Sequence, residues 1–391
     1  MLKGVRQLES IAYFDNAATT FPKPEEVYLH TDQFYRTCGV NVGRGQHKLA
    51  TKASKLVQDT RVSLLSLFHC PNKKIVFTPT ATEAINLILQ GLTISDEYNI
   101  YISPFEHNAV TRVLNQLQNI YKINIIQLAV DRKSLKYDLE KIKNQFSERK
   151  PNWMIVSHAS NVCGVVAPIQ ELSSMAKMYG AVTIVDMCQT AGLIDIDLSN
   201  TDIDFAIFAG HKTLYSPLGV AGVVSNFDIK PKPLIYGGTG VDSANQSLPE
   251  TIPERYEVAS PNIAAIAGLY AALGWIHKIG IQKIYSKEQQ NKEKLIEILN
   301  RFSNIKIINT MKTESIGVVS CVFEGYSSDN IGRILSEQNI AVRTGLHCAP
   351  YAHQFLGTFP SGTVRFSVSY FNTDEDFEAL REALEYIEIN S

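Results

Sequence analysis

The stretch 182–212, VTIVDMCQTAGLIDIDLSNTDIDFAIFAGHK, holds two short runs of β-branched and aromatic residues, 182–186 and 204–208, each followed by small or polar residues. They read as two buried parallel strands whose carboxyl ends reach one rim. Working outward, further runs at 75–77, 99–103, 123–128, 153–158 and 220–225 alternate with segments of helical period such as 81–92, 108–121 and 169–179. Strands and helices in that alternation predict an α/β domain around a seven-stranded, mainly parallel sheet.

Beyond residue 263 the pattern changes. An apolar helical segment (263–279) runs into a charged one (283–302), and then come strand-like 318–324, a loop over 343–360, strand-like 363–368 and a helix near 374–387. That order predicts a smaller α+β domain. No repeat or low-complexity linker intervenes; the large domain is placed at 13–262, with 1–12 and 263–391 forming the small one.

A chain of 391 residues is long enough for two such cores. Hydrophobic residues make up 45% and charged residues 19%, and the formal net charge of −2 predicts no attraction to nucleic acid or to an anionic membrane. A small-molecule substrate is the expected partner. The opening MLKGVRQLES lacks the apolar core of a secretory signal, and no run of about 18 apolar residues occurs, which predicts a cytoplasmic protein. Cys38, Cys70, Cys163, Cys188, Cys321 and Cys348 are scattered without a Cys-x-x-Cys pair, so free thiols are expected rather than a disulfide framework or a metal site.

At the rim of the predicted sheet, Gly210-His211-Lys212 follows the strand 204–208, and ligands of open parallel sheets collect at such carboxyl ends. Lys212 could form a Schiff base with an aldehyde cofactor if its neighbours keep the amine deprotonated; alone, it reads as a solvated loop lysine. Asp186 ends the preceding strand. A carboxylate facing the pyridine nitrogen of pyridoxal 5'-phosphate is the recurrent companion of such a lysine, while the plainer reading is a helix cap. Thr78-Pro-Thr-Ala-Thr-Glu-Ala opens a helix directly after a strand, offering the N–H groups of Ala81 and Thr82 to a phosphate, though the same letters make an ordinary capping arrangement. His107 follows 99–103 at the same edge, where an imidazole can lie flat on a ring. Cys348 sits in a Gly- and Pro-bracketed loop beside His347 and near Arg343, a setting that lowers a thiol pKa; Cys163, Cys188 and Cys321 read as inert buried thiols. Arg365 offers a bidentate partner for a substrate carboxylate, or a surface salt bridge.

Taken in order, Tyr13-Phe-Asp-Asn-Ala-Ala-Thr-Thr, Asn41-Val-Gly-Arg-Gly, Thr82-Glu-Ala-Ile-Asn, Glu106-His-Asn, Ser160-Asn-Val-Cys-Gly, Asp186-Met-Cys-Gln, Gly210-His-Lys, Ser260-Pro-Asn, Arg343-Thr-Gly-Leu-His-Cys-Ala and Val364-Arg-Phe-Ser resemble one family. It is the class V aminotransferase superfamily of fold-type I pyridoxal-phosphate enzymes, and within it the cysteine desulfurases and selenocysteine lyases. The resemblance spans nearly the whole chain. It implies Lys212 as the Schiff-base lysine and proton-transfer base, Asp186 at the pyridine nitrogen, Gln189 at the ring hydroxyl, His107 stacked on the ring, and Thr82 and His211 at the phosphate. Asn161 and Arg365 would hold the substrate carboxylate, with Arg343 and His347 at the same end. Ser260 stands where the family has a threonine that reaches the phosphate of the other subunit, which implies a homodimer.

By the same resemblance, Cys348 takes sulfur from L-cysteine as a persulfide and alanine leaves; the short cysteine loop implies a sulfur-acceptor protein. L-selenocysteine is the alternative substrate, aminotransferase or epimerase chemistry the alternative reaction, and an idle partner in a sulfur-carrier assembly the non-enzymatic alternative. Three departures bear on the cofactor site. Thr80 replaces a glycine, Ala209 a serine, and Ala259-Ser260 a Gly-Thr pair, which implies weakened or rearranged phosphate binding.

Overall fold

The structure is a computed structural model that describes residues 11–43, 45, 47–200, 202–241, 244–309 and 313–390. The expected small-domain segment 1–10 and Arg44 of the Asn41 motif therefore lie outside the described residues. The chain begins with β1 (Ala12–Tyr13), α1 (Glu25–Cys38) and α2 (Lys48–Leu67). Strands and helices then alternate as β2 (Lys74–Thr78), α3 (Ala81–Gly91), β3 (Asn99–Ile102), α4 (Asn108–Gln118), β4 (Asn124–Gln127), α5 (Leu139–Glu148), β5 (Trp153–Ser157), α6 (Ile169–Lys177), β6 (Val182–Asp186), β7 (Phe205–Ala209) and β8 (Ala221–Ser225).

Those seven strands, β2 to β8, form one sheet in the order β2-β8-β7-β6-β5-β3-β4, parallel throughout except for β8. β5 and β7 are buried along their whole length, which is why they carry near-continuous apolar runs instead of an alternation. Odd and even residues feed two cores. Ile100, Ile155, Ile184 and Ile207 pack with α3 and α4 on one face, and Tyr101, Met154, Val185 and Phe208 pack with α2, α5 and α6 on the other.

The remaining elements are α7 (Ile263–Ile279), α8 (Ile281–Leu299), β9 (Ile305–Ile307), β10 (Val318–Phe323), α9 (Ser328–Glu337), β11 (Ile340–Ala341), β12 (Arg343–Gly345), α10 (Pro350–Leu356), β13 (Thr363–Ser367) and α11 (Asp374–Ile389). An antiparallel sheet, β12-β13-β10-β9, is covered by Leu295 and Leu299 of α8, Ile331 and Leu335 of α9, and Phe377 and Leu380 of α11. β1 joins this half by pairing parallel to β11.

One expectation changes. The segment 343–360, expected as a loop, contains β12, because Arg343–Gly345 pairs with β13, and α10, which starts on Pro350 and ends at left-handed Gly357. α7 buries Ile266, Leu269, Leu273 and Ile276 in the same core as Val27 and Phe34 of α1 and Leu56 and Leu64 of α2. The chain turns by 84° at Gly280 (φ 90), between α7 and α8. This burial accounts for the apolar character of α7; among the described residues no single helix is long and apolar enough to cross a membrane.

Candidate active site

The carboxyl ends of β5, β6 and β7, the first turn of α3 and the 343–348 segment enclose a cavity of about 310 Å³. Every residue expected in the site lines it except Ser260. β6 is the central strand: its last residue, Asp186, lies in register beside Ser157 of β5, and His211 and Lys212 follow the neighbouring β7. Sheet topology alone thus brings segments 55 residues apart to one rim.

One end of the cavity is built for an anion. Ala81 and Thr82 open α3, where backbone N–H groups have no intrahelical acceptor and the helix dipole is positive. Thr80 has an ordinary extended backbone (φ −142) and its hydroxyl accepts from the Glu83 N–H, so the position needs no glycine. His211 adds a buried Nδ1 with no partner among the described residues. Burial, with the charges of Lys212 and Lys23, holds this imidazole down to about 4, so it is neutral and free to donate. Ala209 lines the same end without a hydroxyl.

The middle of the cavity suits a flat heteroaromatic ring. Asp186 is 8% exposed, and its Oδ1 accepts from the Cys188 N–H at 2.9 Å in a local turn. No helix follows, so the alternative of a helix cap does not apply. Gln189 donates from Nε2 to the Ala17 carbonyl at 3.0 Å. His107 caps α4, its Nδ1 accepting from the Ala109 N–H at 3.0 Å, and burial with the Lys212 charge lowers it to about 4. An unpaired imidazole nitrogen, free helix N–H groups, a carboxylate and a lysine fit a pyridine ring that carries a phosphate and an aldehyde.

The far end holds cations and a thiol. Arg365, only 1% exposed, pairs with Asp15 at 2.6 Å and donates to the Asn161 carbonyl at 3.0 Å, leaving a buried Nε without a partner among the described residues. The Asn161 amide donates to the His347 carbonyl at 2.7 Å. Cys348 is half-buried with φ 57, next to His347 at φ 49, and its carbonyl accepts from the Asn108 N–H at 2.7 Å beside His107. Left-handed backbone at two consecutive non-glycine residues is held in place by these tethers. The other five cysteines are buried, and burial raises the thiol pKa of Cys163, Cys188 and Cys321, yet Cys188 also lines the cavity.

His347, expected beside the thiol, has its Nε2 facing Thr363 at 2.8 Å, and burial with the charges of Arg365, His353 and Arg343 pushes it down to about 2. The cation at the sulfur is Arg343, whose guanidinium lies 3.5 Å from Sγ. A neutral imidazole brings no charge to the sulfur, whereas a guanidinium does.

Sequence reasoning also passed over Glu106 and Ser157. Glu106 is fully buried behind the cavity, accepting from the Ser157 N–H at 2.6 Å and the Ser157 hydroxyl at 2.9 Å. The position of Ser157 at a strand end was the available signal. Burial pushes Glu106 up to about 8 from 4.5, with the Asp186 charge in the same direction. Its folded pKa thus lies above the unfolded one, so this stability is complete below about pH 4.5 and is lost as pH rises through about 8. We expect the thermal midpoint of Glu106→Gln to overtake that of the parent protein between pH 5 and pH 9, with about 1.4 kcal/mol for each tenfold difference in proton affinity between the folded and unfolded chain. Parallel midpoints across that range in a melting series would refute it.

Ser260 lies apart, exposed on the rim of a second cavity of about 670 Å³ that contains neither Lys212 nor Asp186. Ala259 before it has φ 67, the left-handed backbone for which a glycine is suited. The larger cavity is lined by Leu234, Ile235 and Val241, all exposed.

A parallel sheet of this order with a lysine and an aspartate at adjacent strand ends defines the fold-type I pyridoxal-phosphate class. The aminotransferase class-V family model matches residues 12–380, and the chain belongs to that family. A probable cysteine desulfurase of Xylella fastidiosa (strain 9a5c) is 32% identical over 384 residues, spanning 96% of this chain and 90% of the relative. A probable cysteine desulfurase of Pyrococcus abyssi is 30% identical over 391 residues, spanning 98% and 96%. Among solved structures, the apo cysteine desulfurase of Thermococcus onnurineus NA1 superposes with a TM-score of 0.89 at 28% identity, covering 97% of this chain and 95% of that one.

Proposed function

We propose that this chain is a pyridoxal-phosphate-dependent cysteine desulfurase that takes sulfur from L-cysteine, holds it as a persulfide on Cys348 and releases L-alanine. One observation carries the reading: the cysteine that is not fully buried shares a cavity with Lys212 and has a guanidinium at its sulfur. An aminotransferase or epimerase has no use for a thiol in that position.

The cofactor, when bound, supplies an electron sink for charge developing at the substrate Cα. Ala81, Thr82 and His211 would hold its phosphate, Asp186 its pyridine nitrogen, Gln189 its ring hydroxyl and His107 one face of the ring. Arg365 and Asn161 bind the substrate carboxylate; Arg365 is pre-aligned by Asp15, so its fork loses little freedom on binding. Lys212 Nζ takes the Cα proton as general base. The Cys348 thiolate, favoured by Arg343, attacks the substrate sulfur: an S–S bond forms, the C–S bond breaks, and its electron pair goes to carbon, which is then protonated to alanine.

The persulfide passes to an acceptor protein reaching the 343–348 segment. L-selenocysteine, whose carbon–selenium bond breaks more easily, is the expected second substrate. Ser260 serves the phosphate end of a second copy, making the enzyme a homodimer, and the scattered thiols suit the cytoplasm. Incubation with labelled L-cysteine should give alanine and a Cys348 peptide heavier by one sulfur, while the protein sediments as two chains. Pyruvate or a keto acid in place of alanine would sink the desulfurase reading, and a single-chain particle the dimer.

A further inference from the structure

The segment from Tyr13 to Lys23 touches both ends of the cavity. Asp15 pairs with Arg365, Asn16 donates to the Ser367 carbonyl at 2.9 Å, and the Ala17 carbonyl receives Gln189. Its far end closes on the turn that bears Lys212. Three donors converge on one oxygen, the carbonyl of His211: the Thr20 N–H at 3.2 Å, the Thr19 hydroxyl at 3.1 Å and the Lys23 ammonium at 2.6 Å. The Thr20 hydroxyl takes the next carbonyl, that of Lys212, at 3.0 Å.

A carbonyl oxygen has two lone pairs, so a third donor at the shortest distance is unusual unless it is charged. Lys23 is half-buried, and among the described residues no carboxylate pairs with it. Its backbone N–H is fixed by the Tyr28 hydroxyl at 2.9 Å. A cation drawn out of water without an acidic partner is costly, and burial lowers Lys23 to about 7. Its charge acts on the His211 imidazole, which is itself neutral. A phosphate dianion in the cradle beside His211 would supply the missing counter-charge.

We propose that Lys23 is a positioning residue for Lys212: its ammonium, clamped on the His211 carbonyl, aligns the Lys212 turn and sets a positive charge on the carbonyl just before it in the chain. The proposal rests on the pyridoxal-phosphate reading of the cavity. Lys23→Met removes donor and charge, Lys23→Gln keeps a donor without charge, and Lys23→Arg keeps both.

Cofactor-free protein is titrated with pyridoxal 5'-phosphate while the visible band of the lysine-bound cofactor is followed, and the band is then titrated with pH. Losing a charged hydrogen bond should weaken cofactor binding about tenfold or more in Lys23→Met. Removing a nearby positive charge should raise the pH midpoint of the band by about half a unit or more in both Lys23→Met and Lys23→Gln, with Lys23→Arg close to the parent. A merely structural role would lower the melting temperature without moving that midpoint. Parent-like affinity and midpoint in Lys23→Gln overturn the proposal while leaving the cofactor reading intact, and a parent protein with no visible band overturns both. Should Lys23→Met fail to fold, the glutamine and arginine variants still decide.

Discussion

Lys212→Ala is expected to lose the visible band of bound cofactor and to produce no alanine from L-cysteine, a fall of about 10⁴-fold or more. On the proposed reading one atom, Nζ, would carry both the bond to the cofactor's aldehyde and the proton transfer at Cα, so a single substitution would remove two functions that act as a unit. Among the described residues no other lysine lines the cavity, and Lys23 is spent on the His211 carbonyl, so none of them offers a second amine in its place. The backbone around position 212 is held from the N-terminal segment through Thr20 and from within the turn through Tyr215. An alanine there should therefore leave the fold intact, with an unchanged melting temperature as the control. A variant that kept more than about a hundredth of parental turnover would remove Lys212 from the role of base.

Cys348→Ser should keep the visible band while turnover of L-cysteine falls about 10³-fold or more. The cofactor end contains no atom of Cys348, and the bonds that shape its loop use backbone groups: the carbonyl at 348 to the Asn108 N–H, and the carbonyl at 347 to Asn161. The substitution therefore changes the nucleophile and little else. A serine hydroxyl is a far weaker nucleophile toward sulfur than a thiol, and oxygen is a poor acceptor for sulfur. Turnover of L-selenocysteine by the same variant should fall far less, because departure of selenium leans less on attack by the enzyme. Measured alanine release from both substrates separates these outcomes, and undiminished release from L-cysteine would place the sulfur elsewhere, with Cys188 in the same cavity as the next candidate.

The large sheet was legible because its strands are buried on both faces, so continuous apolar runs such as 153–158 and 204–208 announce themselves, and no observed strand departs from expectation by more than one residue at either end. β9 and β11 were passed over because they are only three and two residues long, and β12 because a three-residue strand exists only by pairing with β13, some 20 residues on; α9 went unread although Ile331, Ile334 and Leu335 recur at helical spacing. The partners of α7 were hidden for a similar reason. α7 is apolar all round, which says that it is buried but not against what, and its partners α1 and α2 lie more than 190 residues earlier.

Residue types and their places at strand ends were determined by the sequence itself: a lysine after β7, an aspartate ending β6, a helix opening after β2, and a cysteine between Gly345 and Pro350. Only the tertiary structure decided which charges meet and which survive. It set Arg343 at the Cys348 sulfur and left His347 neutral, paired Arg365 with Asp15 across 350 residues, held Glu106 as a buried acid, and turned Lys23 onto the His211 carbonyl. The reason is physical: ionisation and hydrogen bonding depend on how much water is excluded and which groups approach, and both are supplied by parts of the chain far away in sequence.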